Sequence, residues 1–184
     1  MNTALSQPVV EVKGSSHARA VKRQVHAYLD HLDVQESPHL TVRFSHRMPS
    51  KLNGITISLP SPKPDAYQVL KVLIDARLTA SKQRLVLAHE MIHVKQYAKG
   101  ELVSIDKNQV MWQGRKRYYA RAYNRVTPWE KEAYRGDRAL AQRIESSSNV
   151  TRETLLAQVS GHVSEAFARQ CSSDQLEKCA VKPK

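Results

Sequence analysis

The chain of 184 residues predicts an α+β fold in a single domain, and three observations carry that expectation. Apolar residues recur at helical spacing in some segments and alternate in others, which are the two periods of helix and strand. An almost continuous apolar run, Leu85 to Val94, is interrupted by the trio His89, Glu90 and His93, as expected of a helix buried on most sides. No internal repeat divides the chain, and its length is enough for one well-formed core.

Taken in order, residues 1–14 read as an irregular lead-in. From Ser15 to His31, Ala18, Val21, Val25, Tyr28, Leu29 and Leu32 fall at helical spacing, with Ser15 or Ser16 as cap. Leu40 to Phe44 alternates as a strand, and Ile55 to Leu59 does the same after the turn signal Asn53-Gly54. Pro60, Pro62 and Pro64 mark a loop, and Val69 to Ile74 is a third strand. The central helix runs without Pro or Gly from Ala80 to Lys99, with Thr79 or Ser81 at its start and Gly100 at its C-terminal stop. Leu102 to Ile105 and Val110 to Trp112 form a hairpin turning at Asp106-Lys107-Asn108. Helices follow near 128–146, opened by Pro128 with Thr127 as cap, and near 151–170. The domain therefore spans 15–170, and 171–184 reads as a disordered tail.

The most specific chemistry sits in the central helix. His89-Glu90-Met91-Ile92-His93 is an H-E-x-x-H motif, and positions four apart on a helix lie one above the other. Both imidazoles then leave one face and can grip one metal ion. Glu90 stands one residue round, where its carboxylate reaches a water rather than the metal. A buried glutamate between two buried histidines is costly without a partner, and a cation supplies one. Catalytic zinc takes three protein ligands and keeps one position open. The candidates for the third are His162 and the acidic pair Glu130 and Glu132. Residues two apart on a helix face different ways, so one of the pair at most points at the metal. Ala133, one turn after Glu130, leaves a small wall beside that carboxylate.

These residues resemble a known group. His89-Glu90-Met91-Ile92-His93 followed by a Glu-x-x-Ala helix is similar to the gluzincins, especially compact minigluzincin-type metallopeptidases. The stretches His93-x-x-Gln96, Trp112-Gln113-Gly114 and Pro128-Trp129-Glu130-x-Glu132-Ala133 also resemble small H-E-x-x-H peptidases of bacteria and their phages. The resemblance covers roughly residues 65–145. It implies a zincin-like domain in which a small sheet packs on the motif helix and a later helix bears the glutamate. It also implies that His89, His93 and Glu130 bind Zn2+, and that Glu90 is the general base and acid of peptide hydrolysis. Many gluzincins carry Asp or Asn directly after the Ala to support a ligand histidine, and this chain has Tyr134 there.

Hydrolysis also needs a donor near the developing oxyanion. Among Tyr118, Tyr119, Tyr123, Tyr134, Arg115, Arg117, Arg121 and Arg125, the first choice is Tyr123. Gln96, seven residues after His89, falls near the histidine face and can orient a ligand. Cys171 and Cys179 lack an adjacent His, so cysteine-nucleophile chemistry has no support.

A formal charge of +12 asks for an acidic partner. Basic residues crowd 115–138 with Trp112, Tyr118, Tyr119, Tyr123 and Trp129 interleaved. A protein or peptide substrate is the first expected partner, and nucleic acid bound through 115–138 is the second. The alternative function is accordingly a basic nucleic-acid-binding or virion-associated protein with a structural or inactive zinc site. No transmembrane run or signal-peptide pattern is present, so the expected setting is cytoplasmic, with free thiols.

Overall fold

The computed structural model describes residues 8–35, 38–48, 52–59, 68–106, 109–118 and 127–147, with 116–118 as backbone alone. The chain divides into two compact units, Met1–Ile144 and Glu145–Lys184. The expected helix 151–170, the tail 171–184, the proline loop at 60–64, Tyr123 and His162 lie outside the described residues.

A mixed four-stranded sheet forms the frame. Its strands are β1 (Val9–Lys13), β2 (His39–Ser45), β3 (Gly54–Leu59) and β4 (Val69–Asp75), in the order β1-β2-β4-β3. β1, β2 and β4 are parallel neighbours, and β3 runs antiparallel to β4 as an edge strand. Residues 1–14 are therefore not all irregular lead-in. Val10 and Val12 pair in register with Leu40 and Val42, and β1, helix α1 (Ala18–His31) and β2 make a parallel βαβ unit. Five residues with one charge pair gave too short an alternation to stand out; the strand forms because β2 offers it a ladder and α1 covers its inner face. The expected Ser cap of α1 is also absent. His17 occupies the cap position without a side-chain bond, and Ser15 Oγ instead accepts from the His17 N–H.

One face of the sheet carries Val10, Leu40, Val42, Phe44, Leu70, Val72 and Ile74, all buried. Against it pack α1, through Val25, Tyr28 and Leu29, and α2 (Ala80–Ala98), through Leu87, Ala88, Met91 and Val94. Each such side chain removed from water contributes about 1.5–3 kcal/mol. Thr79 caps α2, its hydroxyl accepting from Lys82 N–H, and Gly100 takes φ +66° just past the C-terminal residue Lys99.

A second, antiparallel sheet follows: β5 (Leu102–Ser104), β6 (Gln109–Trp112) and β7 (Arg115–Tyr118). The β5–β6 hairpin was expected, and β7 was not. Gln113 and Gly114 both have positive φ, 45° and 76°, and Trp112 pairs with Arg115. Those two residues make the tight turn that matches strand twist. The third helix among the described residues, α3, spans 128–147. Thr127 does not cap it with its side chain: the carbonyl accepts from Lys131 N–H, while the buried Oγ1 has no partner. Trp129 at the start of α3 packs on Trp112 of β6, ring centroids 6.1 Å apart. Both indoles are buried, so neither is a surface for stacking bases. No helix among the described residues is long and apolar enough to cross a membrane.

Candidate metal centre

α2 presents one face to β3 and another to α3, and the polar trio divides between them. His89 and His93 turn toward α3, their Nε2 atoms 3.3 Å apart. Glu130, in the first turn of α3, straddles the pair: Oε2 lies 3.4 Å from His89 Nε2, and Oε1 lies 3.4 Å from His93 Nε2. His89, His93 and Glu130 form a cluster whose ligand atoms lie within 4.8 Å of one another, and it can hold a metal ion. Glu130 Oε1 is buried and makes no hydrogen bond, although it sits at ion-pair distance from His93. Such an oxygen is expensive to bury unless something cationic meets it.

Hydrogen bonds behind the ring nitrogens fix which of them is free. Gln96 is fully buried, and its Nε2 donates to the Trp129 carbonyl at 3.1 Å and to Glu132 Oε2 at 3.2 Å. Both partners are pure acceptors, so the amide orientation is determined and Oε1 must face His93. His93 Nδ1 then donates to Gln96 Oε1 at 2.8 Å, leaving the Nε2 lone pair toward Glu130. His89 Nδ1 lies 3.3 Å from Asp137 Oδ2, which plays the same part with a carboxylate. Tyr134, at the position where the resemblance implies an acid, packs tilted against the His89 ring, with ring centroids 4.5 Å apart.

Glu132 does not join the cluster. Its Oε1 meets Lys95 Nζ at 2.9 Å, and Lys95 also binds Glu101 at 2.7 Å. That ion-paired carboxylate serves the site only by holding Gln96.

Glu90 faces β3. Its Oε2 accepts from the Thr56 hydroxyl at 2.8 Å, and the same hydroxyl lies 3.1 Å from the Glu90 carbonyl. The approach is close because β3 opens on Gly54. A Cβ there would stand 2.5 Å from Val86 Cγ1 and 2.6 Å from Glu90 Oε1, distances no real side chain tolerates.

Burial raises the Glu90 carboxyl above its ordinary value, against the pull of His93, His89 and Thr56. Burial would lower His93, but Glu130 and Glu90 outweigh it and raise the imidazole. Burial also opposes ionisation of Glu130, yet the two histidines hold its carboxyl at about 2. The centre is thus a desolvated set in which the histidines favour the charge of Glu130, Glu130 and Glu90 favour that of His93, and Glu130 opposes that of Glu90.

The structure brings together four of the five site residues expected from the sequence: His89, Glu90, His93 and Glu130. Tyr123 lies outside the described residues. Thr56 and Asp137 were missed. Asp137 had a legible signal, since it stands two helical turns after Glu130 on the same face. Thr56 had none, being a single hydroxyl in a strand 34 residues from its partner. Comparison with protein-family models, curated proteins and solved structures finds no match to this chain.

Proposed function

We propose that this protein is a zinc metallopeptidase of zincin-like architecture. The observation that carries the proposal is the pairing of a three-donor cluster with a neighbouring carboxylate held out of it. The two imidazole Nε2 atoms lie 3.3 Å apart, close to the edge, about 3.3 Å, of a tetrahedron with zinc–ligand bonds of about 2.0–2.1 Å, and a separate Glu130 oxygen lies 3.4 Å from each of them. Two imidazole nitrogens and one carboxylate are a zinc donor set, and three protein donors among the described residues is the count of an open site. A closed structural site would use four.

His89, His93 and Glu130 would hold the ion, with Asp137 and Gln96 keeping the imidazole Nδ1 atoms protonated and the Nε2 atoms free. Zinc, when bound, supplies Lewis acidity to a scissile carbonyl and to the attacking water. Glu90 takes the proton of that water and returns it to the departing amine. Burial raises the Glu90 carboxyl above its ordinary value, which makes its ionised form the stronger proton acceptor. Thr56 holds Oε2, which fixes the direction in which Oε1 can work. Beside Glu90, β3 is an edge strand without a single charged residue, Gly54-Ile55-Thr56-Ile57-Ser58-Leu59. Edges are normally blunted by charge, so an uncharged one next to a hydrolytic site is suited to pairing with an extended polypeptide.

The test has two parts. Metal analysis of purified protein should give one zinc per chain for wild type and for Glu90→Gln, and none for Glu130→Ala. Hydrolysis of a denatured protein mixture, followed by mass spectrometry, should fall by about 10²–10⁴-fold in Glu90→Gln. Equal cleavage by wild type and Glu90→Gln would sink the mechanism.

A further inference from the structure

The outer face of α3 carries a cationic ridge. Lys131, Arg135 and Arg138 fall at i, i+4 and i+7, which places them on one stripe, and all three are exposed. Among the described residues none of them has a carboxylate within ion-pair distance; the ion pairs there join Lys13, Arg77, Lys95, Lys99 and the two ligand histidines instead. The carboxylates of α3 nearby are turned elsewhere: Glu130 to the histidines, Glu132 to Lys95 and Asp137 to His89. From 128 to 143, every exposed charged residue of α3 is a cation.

This ridge adjoins the metal centre through one residue. Tyr134 lies between it and the inward face of α3, is 44% exposed, and rests on the His89 ring. A chain lying at the cluster would therefore meet Tyr134 first and the three cations next.

We propose that the ridge selects acidic polypeptides, with carboxylates of the substrate meeting Lys131, Arg135 and Arg138 while its backbone lies toward β3. This rests on the peptidase reading for its chemistry, though the binding preference stands without it. Nucleic acid is the weaker fit to the same charges. Trp112 and Trp129, two of the aromatics interleaved with the basic residues, are buried against each other. The uncharged strand edge beside Glu90 offers N–H and C=O groups, which complement a peptide backbone and not a phosphodiester.

The experiment uses full-length, zinc-loaded Glu90→Gln protein and fluorescence anisotropy. The probes are three labelled peptides of equal length (acidic, neutral and basic) and a labelled single-stranded oligonucleotide. The acidic peptide should bind about tenfold or more tightly than the neutral one at low salt, and the preference should collapse at high salt. Lys131→Glu/Arg135→Glu/Arg138→Glu should reverse the order of acidic and basic peptides while zinc content and circular dichroism stay as in the parent; Arg135→Gln alone should give an intermediate loss if the triple variant does not fold. Equal binding of acidic and neutral peptides overturns the proposal. So does an oligonucleotide that displaces the acidic peptide and itself depends on the ridge. Hydrolysis by wild type is scored separately: cleavage without charge preference sinks the ridge alone, and charge-selective binding without cleavage sinks the peptidase reading alone.

Discussion

α1 and α2 pack against the same sheet, yet they are built on opposite plans. α1 buries three of its fourteen residues, Val25, Tyr28 and Leu29, and leaves its charges in water. α2 buries nine of nineteen, and three of those nine are Glu90, His93 and Gln96. The first helix needs only an apolar stripe. The second lies among β3, β4, β5 and α1, with Glu130 of α3 on its histidines, so every polar group it buries must find a partner on another element. Glu90 finds Thr56, Gln96 finds the Trp129 carbonyl and Glu132, and His89 finds Asp137. A helix that only packs can lose a contact and keep its function. A helix that carries a candidate metal cluster is held in place by hydrogen bonds whose loss is felt at that cluster.

That contrast can be broken from either side. The largest effect on stability should come from α1: Leu29→Ala, at 1% exposure, should cost about 2–5 kcal/mol in denaturant unfolding. Zinc affinity of the folded variant should not move, and a parallel loss of affinity would show that α1 is coupled to the centre after all. Gln96→Leu in α2 should show the reverse balance. It strands His93 Nδ1 and the Trp129 carbonyl, costing about 1–3 kcal/mol, and it should weaken zinc binding about 10–100-fold in a competition titration with a chelator. Unchanged zinc affinity would mean that His93 keeps its orientation without the amide. The smallest effect lies away from both helices, at the end of β4. Hydrogen bonds from the Arg77 side chain and backbone hold the Asp75 carboxyl at about 2, below its ordinary 3.8. A carboxyl lowered in the folded state stabilises above its unfolded value and loses that contribution as pH falls toward the folded one. Wild type should therefore lose melting temperature between about pH 4 and pH 2 more steeply than Arg77→Ala, measured by circular dichroism. Parallel acid limbs in the two proteins would remove Asp75 from the account.

The contrast also explains how far the chain could be read before its fold was seen. α1, β2, β4 and α2 were legible because their periods of 3.6 and 2 are written in apolar residues. β3 was legible as a strand but not in its orientation. Its apolar residues Ile55, Ile57 and Leu59 face away from the core, with Leu59 40% exposed, and Thr56 is the buried one. Alternation by itself favours the opposite, whereas in the fold Thr56 faces inward and its hydroxyl donates to Glu90. β1 and β7 were missed because a four- or five-residue strand has little pattern of its own and depends on the neighbour that pairs with it.

The sequence by itself determined the local half of the centre. Spacing of four on an uninterrupted helix puts His89 and His93 on one face and Glu90 beside them, and no packing is needed to know it. The family resemblance already favoured Glu130 over Glu132, and spacing pointed to Gln96, but bringing Glu130 onto the histidines and supplying Thr56 and Asp137 as supports required tertiary structure. Those partners lie three to 48 residues from the groups they serve. Gln96 shows how little distance along the chain matters. It is three residues from His93, but its role depends on Trp129 and Glu132, which reach it only because α3 packs where it does. Periodicity records which way a side chain points. Which of several carboxylates arrives at it is set by how whole elements pack.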